Sequence, residues 1–563
     1  MDYNDLAPDA TRARLGQDMS SSGALSASNR RWLQPLALLL LVLIYLATVL
    51  PNLANDPIVG GDEGWIISAS AKLAGQGVFG SDLFAGFYDA EDHYYFNLPL
   101  HHIVLAGVFE VTGSGIVEAR LASVVFGLLA LLLTYALGRK IAGPGAGLLA
   151  AALLVLLRLN LTPFSGLTLT DLGATVRYDL IAVPYGIAAV LILSRSPFEV
   201  RLWQAAVAGL LVGLAALTQF IGAFFVLPLA LYVMTLLMPL GRRLLLTTVL
   251  GLAMLAPFLP YGLYIAADLD DFRGQARAVE QEADLLSPAF YVRQLRDEPD
   301  RYNLGLDFDG IPSTAEEALR RPSARLALLV ALPIAAVYLV SMGRSDPRRR
   351  LLAFVLIGLV VQLALFESTK RFVYWVVVVP FLCIAIPDLA IAVWRLHPSG
   401  KLTRDWSDVP LLRWLAKGAV GGILAVVAIE GLAVAAKDVR DAPDAPGYAD
   451  VGSRLREAIP DGSSAAGDNR LWPALRDRDY RSLHLLFYYT NPDISRDRTT
   501  DVFGAMDRIG ADYLLLSPLG RDILTRLSPD HAAEFERYMS ERAELVTTID
   551  NAAYGPIEVY RLR

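Results

Sequence analysis

Residues 118–156 read "EARLASVVFGLLALLLTYALGRKIAGPGAGLLAAALLVL". Two apolar runs, near 117–138 and 144–160, are separated by Arg139-Lys140 and a Gly-Pro-Gly turn. An apolar helix of about 20 residues crosses the roughly 30 Å hydrocarbon layer of a bilayer. Because lipid offers the backbone no hydrogen-bond partners, such runs are expected to be helical. The stretch therefore predicts two membrane-spanning helices joined by a short basic loop.

The rest of the chain repeats this pattern. The 563 residues are 54% hydrophobic with a mean hydropathy of +0.43, which is too apolar for a soluble protein of this size. Apolar runs recur near 33–51, 117–138, 144–160, 173–193, 203–218, 221–238, 244–265, 325–342, 351–366, 372–394 and 418–436. The sequence predicts a polytopic α-helical membrane protein whose module, residues 33–436, has about eleven transmembrane helices.

Basic residues predict the orientation of these helices. Lys and Arg collect at the N-terminus and in alternate connections, which are Arg139-Lys140, Arg195 with Arg201, Arg242-Arg243, 344–350 and 395–417. Short basic loops stay on the cytoplasmic side of a membrane. We therefore expect residues 1–32, rich in Ser, Ala and Asp, to be a disordered cytoplasmic tail. The loops 52–98 and 266–324, and the segment 437–563, are then expected on the extracytoplasmic face.

Residues 437–563 alternate helical and strand-like patterns. We interpret "YADVGSRLREAIPDGSSAAGDNR" (448–470) as helix, turn and strand, "ADYLLLSP" (511–518) as a short buried strand, and "SPDHAAEFERYMSERAELV" (528–546) as helix followed by strand. These patterns predict a soluble α/β domain. The single cysteine, Cys383, excludes an intrachain disulfide, and the net charge of −7 does not indicate a nucleic-acid partner.

The first of the predicted outer loops contains "IVGGDEGWIISASAKL", residues 58–73, in which Asp62 and Glu63 are adjacent. Acidic residues are favoured in the first turn of a helix, so one interpretation is a helix start that ends near Gly75. The other is a carboxylate that accepts a proton during catalysis. Both uses are compatible with one site.

Other charged residues fall at the same predicted depth. Arg177 and Asp179 lie near the start of the span 173–193, and Lys370 and Arg371 lie in a short outer turn where basic pairs are unusual. A carboxylate that takes a proton, together with cations that hold a departing phosphate, suits transfer of a group from a lipid phosphate. A transporter or flippase for an anionic or lipid-linked substrate, and a membrane scaffold, are the alternatives.

The segment "EDHYYFN", residues 91–97, carries further candidates. His93 lies near Asp89, Glu91 and Asp92, a group that could bind a divalent metal, although a solvated acidic loop explains the charges equally. The cluster of Tyr88, Tyr94, Tyr95 and Phe96 is interpreted as an interfacial aromatic belt or as a surface that stacks on sugars. No metal or other cofactor is expected.

Five stretches resemble the polyprenyl-phosphate-dependent glycosyltransferases of the glycosyltransferase-C superfamily, of the protein mannosyltransferase and aminoarabinose transferase type. Besides residues 118–156, these stretches are "GGDEGWIISASAKLAGQG" (60–77), "YYFNLPLHHIVLAGVFEVTGSG" (94–115), "GLLVGLAALTQFIGAFFVLPLAL" (209–231) and "TKRFVYWVVVVPFLCIAI" (369–386). The resemblance implies an inverting membrane enzyme that moves a sugar from a polyprenyl-phosphate donor to a glycan, lipid or protein acceptor on the extracytoplasmic face.

The resemblance also implies roles for individual residues. Asp62 corresponds to the expected general base or acceptor-orienting carboxylate, with Glu63 beside it. Lys370, Arg371 and, more loosely, Arg177 correspond to ligands of the donor phosphate. Asp179, His93, Tyr95 and Asn97 are predicted to contact substrate.

Two positions depart from the family pattern. Asn97 stands where the aminoarabinose transferase type tends to have Lys, and Gln219 follows Thr218 where many relatives have Lys. Two cations expected along the donor path are therefore missing.

Overall fold

The computed structural model describes residues 32–157, 169, 173–196, 198–279, 287–302, 322–395, 410–441, 447–495 and 501–563. Almost all of the predicted N-terminal tail, part of the loop 266–324 and most of the basic segment 395–417 lie outside the described residues.

Helices dominate the first three quarters of the described chain. They are α1 (Trp32–Val49), α2 (Gly61–Gln76), α3 (Pro99–Thr112), α4 (Ile116–Ala142), α5 (Pro144–Leu156), α6 (Tyr178–Leu193), α7 (Leu202–Thr218), α8 (Val226–Met234), α9 (Leu240–Leu255), α10 (Phe258–Ala267), α11 (Leu269–Val279), α12 (Pro288–Asp297), α13 (Pro322–Met342), α14 (Pro347–Phe366), α15 (Val379–Trp394) and α16 (Pro410–Asp441).

Five of these helices, α1, α4, α13, α14 and most of α16, are long and apolar enough to cross a membrane, and α9 with α10 forms a sixth candidate span bent by 47°. The bend falls at Pro257, which lacks the N–H that a continuous helix would use. Shorter apolar helices, including α5, α6, α7 and α15, occupy the remaining predicted runs. The prediction of a multi-pass helical membrane protein is confirmed, and eleven spans stay a prediction.

The loop 52–98, called the first loop below, is folded around α2. The backbone N–H of Gly60 donates to the Glu63 carboxylate, and this bond closes the first turn of the helix. The helix ends at Gln76, one residue later than predicted, and Gly77 then turns the chain in the left-handed conformation with φ 70°. The helix-start interpretation of the Asp62-Glu63 pair is therefore confirmed.

Residues 447–563, called the C-terminal domain below, contain a five-stranded sheet with helices around it. The strands are β1 (Ala465–Gly467), β2 (Tyr480–Ser482), β3 (Tyr513–Leu516), β4 (Ala543–Ile549) and β5 (Ile557–Leu562), in the order β2-β1-β3-β5-β4. The first three are parallel, and β5 runs antiparallel to both β3 and β4. The helices are α17 (Tyr448–Ala458), α18 (His484–Thr490), α19 (Val502–Ile509), α20 (Pro518–Leu524) and α21 (Pro529–Arg542). Each of the three segments interpreted from sequence has the predicted structure.

Buried apolar side chains form two large clusters. One lies among the apolar helices, and the other joins the first loop, α3 and the C-terminal domain. Tyr88, Tyr94 and Phe96 are buried in this second cluster, and Tyr95 is also buried, so these four residues do not form the interfacial belt expected from the sequence. The first loop and the C-terminal domain therefore share one hydrophobic core.

Hydrogen bonds also join the first loop to the C-terminal domain. The N–H of Val59 donates to the Tyr554 hydroxyl at 2.9 Å, and the Tyr88 hydroxyl donates to the Ile494 carbonyl at 2.9 Å. At the entry to the domain, the Tyr448 N–H donates to the Asn55 side chain at 2.8 Å. These bonds fix the domain over the start of α2.

Candidate active site

A cavity of about 350 Å³ lies where the first loop, the apolar helices and the C-terminal domain meet. The first loop contributes the segment 60–63 and Trp65, and the residues before α6 contribute Thr175, Val176 and Arg177. The turn between α14 and α15 contributes Arg371. The C-terminal domain supplies the remaining wall, which consists of Asn469, His484, Leu519, Asp522, Ile523 and Arg526.

Asp62 opens into this cavity beside Arg177. The Asp62 side chain is 50% exposed, and its Oδ2 accepts a hydrogen bond from Arg177 Nη1 at 3.1 Å. Arg177 is held in turn by Asp179, a fully buried residue that accepts from Arg177 Nε at 2.9 Å and from Nη2 at 2.6 Å. Gln219 donates to the other oxygen of Asp179 at 3.1 Å. The sequence-predicted pair Arg177 and Asp179 thus comes together with Asp62, with Asp179 as the support of Arg177.

Glu63 also borders the cavity, but its side chain is buried and paired. Arg120, which is fully buried, donates to Glu63 Oε1 from Nε at 2.8 Å and to Oε2 from Nη2 at 2.7 Å. The backbone N–H groups of Gly60 and Val176 donate to the same carboxylate, each at 2.9 Å. Both oxygens of Glu63 are therefore occupied by protein donors. These contacts give Glu63 the role of joining α2 to α4 and to the segment before α6, rather than of meeting a substrate.

Lys370 and Arg371, adjacent in sequence, diverge in space. Lys370 has φ 50°, a conformation uncommon for residues other than glycine, and its Nζ donates to Glu298 at 3.1 Å and to the Ala364 carbonyl at 2.7 Å. Arg371 points to the cavity and is exposed. Arg301, fully buried, donates to the Arg371 carbonyl at 3.0 Å and so holds the turn. Of these two adjacent residues, only Arg371 lines the cavity, as Arg177, the third predicted phosphate ligand, also does.

The predicted substrate contacts His93, Tyr95 and Asn97 do not line the cavity. Asn97 donates to the Tyr94 hydroxyl at 2.9 Å, and the Tyr95 N–H donates to the Gln275 side chain at 2.7 Å. Both contacts hold the end of the first loop. The structure assigns these three residues no direct contact with the cavity of Asp62.

His93 lies near Asp268 and Asp271, and one potential ligand atom from each lies within 4.8 Å of the others. The His93 Nε2 is 3.3 Å from an Asp268 oxygen. An imidazole with two carboxylates is a donor set that zinc and similar divalent ions accept. The carboxylates differ from the neighbours that the sequence suggested, and the expectation that no metal is required stays a prediction.

The chain is similar in sequence to one protein family and in structure to several solved membrane proteins. A family model described as dolichyl-phosphate-mannose-protein mannosyltransferase matches residues 97–262. The crystal structure of ArnT from Cupriavidus metallidurans in the apo state superposes with a TM-score of 0.58 at 16% identity, covering 94% of this chain and 98% of that one. The chain has the glycosyltransferase-C fold.

Two other solved structures agree with this glycosyltransferase-C assignment. ArnT from Cupriavidus metallidurans bound to undecaprenyl phosphate gives a TM-score of 0.55 at 16% identity, with the same coverage of 94% and 98%. AglB from Archaeoglobus fulgidus, an archaeal oligosaccharyltransferase in complex with an inhibitory peptide and a dolichol-phosphate, gives 0.55 at 12% identity and covers 92% of this chain and 73% of that one. No curated protein sequence matches the chain significantly.

Within this glycosyltransferase-C fold, sequence reasoning missed two groups of residues. Arg120 could have been recognised from the sequence, because a charged residue at the start of an apolar run requires a partner. The cavity residues of the C-terminal domain could not have been recognised, because nothing in a single sequence indicates which face of a soluble domain packs on the first loop.

His484 is one of these cavity residues. Burial lowers its pKa to about 4, so its imidazole is neutral at pH 7.

The charges of the cavity separate into paired and unpaired groups. Arg177 is neutralised by Asp62 and Asp179, and Glu63 is neutralised by Arg120 behind the cavity wall. Arg371 and Arg526 form no ion pair within the described part of the chain. The cavity thus holds two guanidinium groups and the exposed Asp522 carboxylate outside any ion pair of the described residues, beside the half-exposed Asp62. Such a cavity can bind an anion and accept a proton at neighbouring points.

Proposed function

We propose that the protein is an inverting membrane glycosyltransferase that moves a sugar from a polyprenyl-phosphate donor to an acceptor hydroxyl or amine, with Asp62 as the general base. The observation that carries the proposal is the half-exposed Asp62 carboxylate in one cavity with Arg177 and Arg371. The glycosyltransferase-C fold supports the reaction class. The undecaprenyl phosphate and dolichol-phosphate bound by two structures of this fold support the donor class.

Asp62 is suited to accept a proton because one of its oxygens is held and the other is available. Oδ2 accepts the bond from Arg177, and Oδ1 has no hydrogen-bond partner among the described residues. The acceptor O–H or N–H loses its proton to Oδ1 as its oxygen or nitrogen attacks the anomeric carbon. The bond between that carbon and the phosphate oxygen breaks at the same time, and the phosphate keeps the electron pair. A single displacement inverts the anomeric configuration.

Arg371 is the proposed ligand of the donor phosphate, with Arg177 as a second cation at the same depth. A guanidinium donates two parallel hydrogen bonds to phosphate oxygens and stabilises the charge that increases as the phosphate departs. Arg177 is already bonded to two carboxylates. Its main contribution is therefore to orient Asp62, and Arg371 carries the larger share of phosphate binding.

Placement on the extracytoplasmic face is part of the proposal. The basic connections predicted from the sequence favour this face for the first loop, for Arg371 and for the C-terminal domain. Polyprenyl phosphate would enter the cavity from the bilayer, and the acceptor would enter from the side of the C-terminal domain.

The experiment that tests the proposal measures sugar transfer from radiolabelled polyprenyl-phosphate sugars by the full-length protein in nanodiscs. We expect Asp62→Asn to lower turnover by roughly 10²–10⁴-fold, the usual contribution of a general base, while binding of undecaprenyl phosphate is retained. The control is Asp82→Asn in the same loop, because Asp82 pairs with Lys72 outside the cavity. Full turnover by Asp62→Asn would refute the role of Asp62. Movement of lipid-linked substrate across the bilayer without sugar transfer would favour the flippase alternative.

A further inference from the structure

The C-terminal domain presents four polar side chains to the cavity that the proposed transfer step does not use. They are Asn469, His484, Asp522 and Arg526, called the domain wall below. They lie in one cavity with Asp62, so a molecule held by the domain wall is placed beside the proposed base.

Among these four residues, Asn469 gives the strongest indication that a ligand binds, because its amide is unsatisfied. The residue is 1% exposed, and both its Nδ2 and its Oδ1 are buried with no hydrogen-bond partner among the described residues. A buried amide that makes no bonds is unfavourable, and native proteins rarely keep one without a water, an ion or a ligand to satisfy it. Asn469 lines the cavity, and its amide is left as an unsatisfied donor and acceptor.

The backbone at Asn469 is fixed independently of its side chain. A Cβ built on Gly64 of α2 would lie 1.8 Å from the Asn469 carbonyl oxygen, so the two backbones are in direct contact. Asn469 begins the short helical segment Asn469–Ala474, whose first turn is capped by Asp468. The amide is therefore held in place without using its own hydrogen-bonding groups.

The remaining groups around Asn469 combine flat rings with charges. The rings of Trp65 and His484 are 5.6 Å apart, and His484 Nδ1 lies 3.2 Å from the Ser482 hydroxyl. Asp522 and Arg526 are exposed, four residues apart, and form no ion pair within the described residues. Aromatic faces next to an amide, a carboxylate and a guanidinium match the alternating apolar faces and hydroxyl groups of a sugar.

A peptide matches the domain wall less well. Extended peptides often bind by adding a strand to a sheet edge. The residues that line this cavity lie in helices, helical turns and loops, and none belongs to β1–β5. The cavity lining therefore offers a peptide no strand edge with which to form backbone hydrogen bonds. Sugar hydroxyl groups, which both donate and accept, are complementary to the Asn469 amide.

We propose that the domain wall binds a carbohydrate acceptor, with the Asn469 amide hydrogen-bonded to sugar hydroxyl groups and Arg526 and Asp522 at the outer part of the site. The acceptor role rests on the proposed function, because it assigns the reacting hydroxyl to Asp62. The binding of carbohydrate by these residues is a separate statement that can be tested without any donor.

The test uses the full-length protein in nanodiscs on an array of lipid-free oligosaccharides and an array of peptides, followed by titration of the strongest ligand. We expect oligosaccharides to bind, and Asn469→Ala and Arg526→Gln each to weaken the affinity by about tenfold, the effect of one lost hydrogen bond of about 1.4 kcal/mol. Asn491→Ala is the matched control, since Asn491 holds its own turn through Asp493 and lies outside the cavity. The control is expected to bind like the unmodified protein.

A stability measurement separates ligand binding from a structural role. Because Asn469 makes no side-chain bond to the described protein, Asn469→Ala is expected to keep the melting temperature of the unmodified protein without ligand. A clear fall in melting temperature would show that the amide serves the fold and would overturn the inference. Preferential binding of peptides would also overturn it, as would carbohydrate binding that is unaffected by Asn469→Ala and Arg526→Gln.

Failure of this inference and failure of the proposed function are distinguishable. Absence of binding on both arrays overturns the domain wall as a carbohydrate site, while Asp62-dependent consumption of donor would still support the transferase. Carbohydrate binding that depends on Asn469, without consumption of any donor, would support the site and refute the transferase. Asp62→Asn is expected to lose transfer.

Discussion

Asp62 and Glu63 are neighbours in the chain with opposite environments. Asp62 is half-exposed in the cavity, whereas Glu63 is buried and accepts two bonds from Arg120. Removal of one partner from a buried ion pair typically costs about 3–5 kcal/mol, because the other charge stays buried and uncompensated. Glu63→Gln is therefore expected to lower the melting temperature strongly, and Asp62→Asn, whose pair is partly exposed, to change it little. Thermal unfolding of both variants in the same detergent checks this, and equal stabilities would contradict the assigned roles.

Lys370 and Arg371 form a second pair of neighbours with different expected effects. Arg371→Gln should weaken binding of undecaprenyl phosphate by roughly tenfold to a hundredfold, since a hydrogen bond to a charged group contributes about 1.5–3 kcal/mol. Lys370→Gln should leave donor binding largely intact and lower stability, because it removes a cation from the buried group with Glu298. Titration of undecaprenyl phosphate and a melting curve for each variant distinguish the two residues. The reverse outcome would place Lys370 at the phosphate.

At the scale of elements, α2 packs backbone to backbone on the C-terminal domain. The Gly64 position leaves no space for a side chain, because an added Cβ would lie 1.8 Å from the Asn469 carbonyl oxygen. Gly64→Ala must separate α2 from the segment Asn469–Ala474, and we expect a loss of about 3 kcal/mol or more together with loss of turnover. Gly75→Ala in the same helix is the control, because nothing lies within 4 Å of its added Cβ.

The control is expected to be neutral or to stabilise the protein by about 0.4–1 kcal/mol, since alanine restricts the unfolded chain more than glycine does. Melting curves and turnover of the two variants give the comparison. Unchanged activity in Gly64→Ala would show that the contact between α2 and the C-terminal domain does not shape the cavity.

For the whole molecule, the shared core of the first loop, α3 and the C-terminal domain contains buried histidines. Burial lowers the pKa of His484 and of His102 to about 4 and lowers the pKa of His101 well below its usual range. Between pH 6.5 and about 4, the unfolded chain binds protons at these positions that the folded chain does not bind. The contribution of these histidines to stability is therefore expected to fall as the pH falls through this window and to be constant above it.

His484→Gln isolates one contribution to this pH dependence. The variant removes one titrating group, so its melting temperature should fall less steeply between pH 6.5 and 4 than that of the unmodified protein, with the remaining slope due to His101, His102 and other groups. Melting temperatures measured across this range provide the test. An identical slope in the variant would show that His484 is accessible to protons in the folded protein.

The sequence by itself determined the class, the helical runs and the elements of the C-terminal domain. Apolar runs must become helices in lipid, and the alternating patterns of residues 448–470 and 528–546 are local, so each could be interpreted without knowledge of its neighbours. The predicted association of Asp62 with Arg177 and Arg371 also came from the sequence, through their common depth and the family resemblance. These features depend on short-range pattern and on the membrane as a solvent.

Only the tertiary structure decided which charged residues serve the fold and which line the cavity. The sequence gives no reason to assign different roles to the adjacent cations Lys370 and Arg371. In the structure Lys370, in the left-handed conformation, contacts Glu298, whereas Arg371 lines the cavity. Asn469 lines the same cavity although it is more than 400 positions away from Asp62 in the chain, because Gly64 allows two backbones to touch. Such contacts depend on how distant surfaces pack, and packing is a property of the assembled molecule that local pattern does not encode.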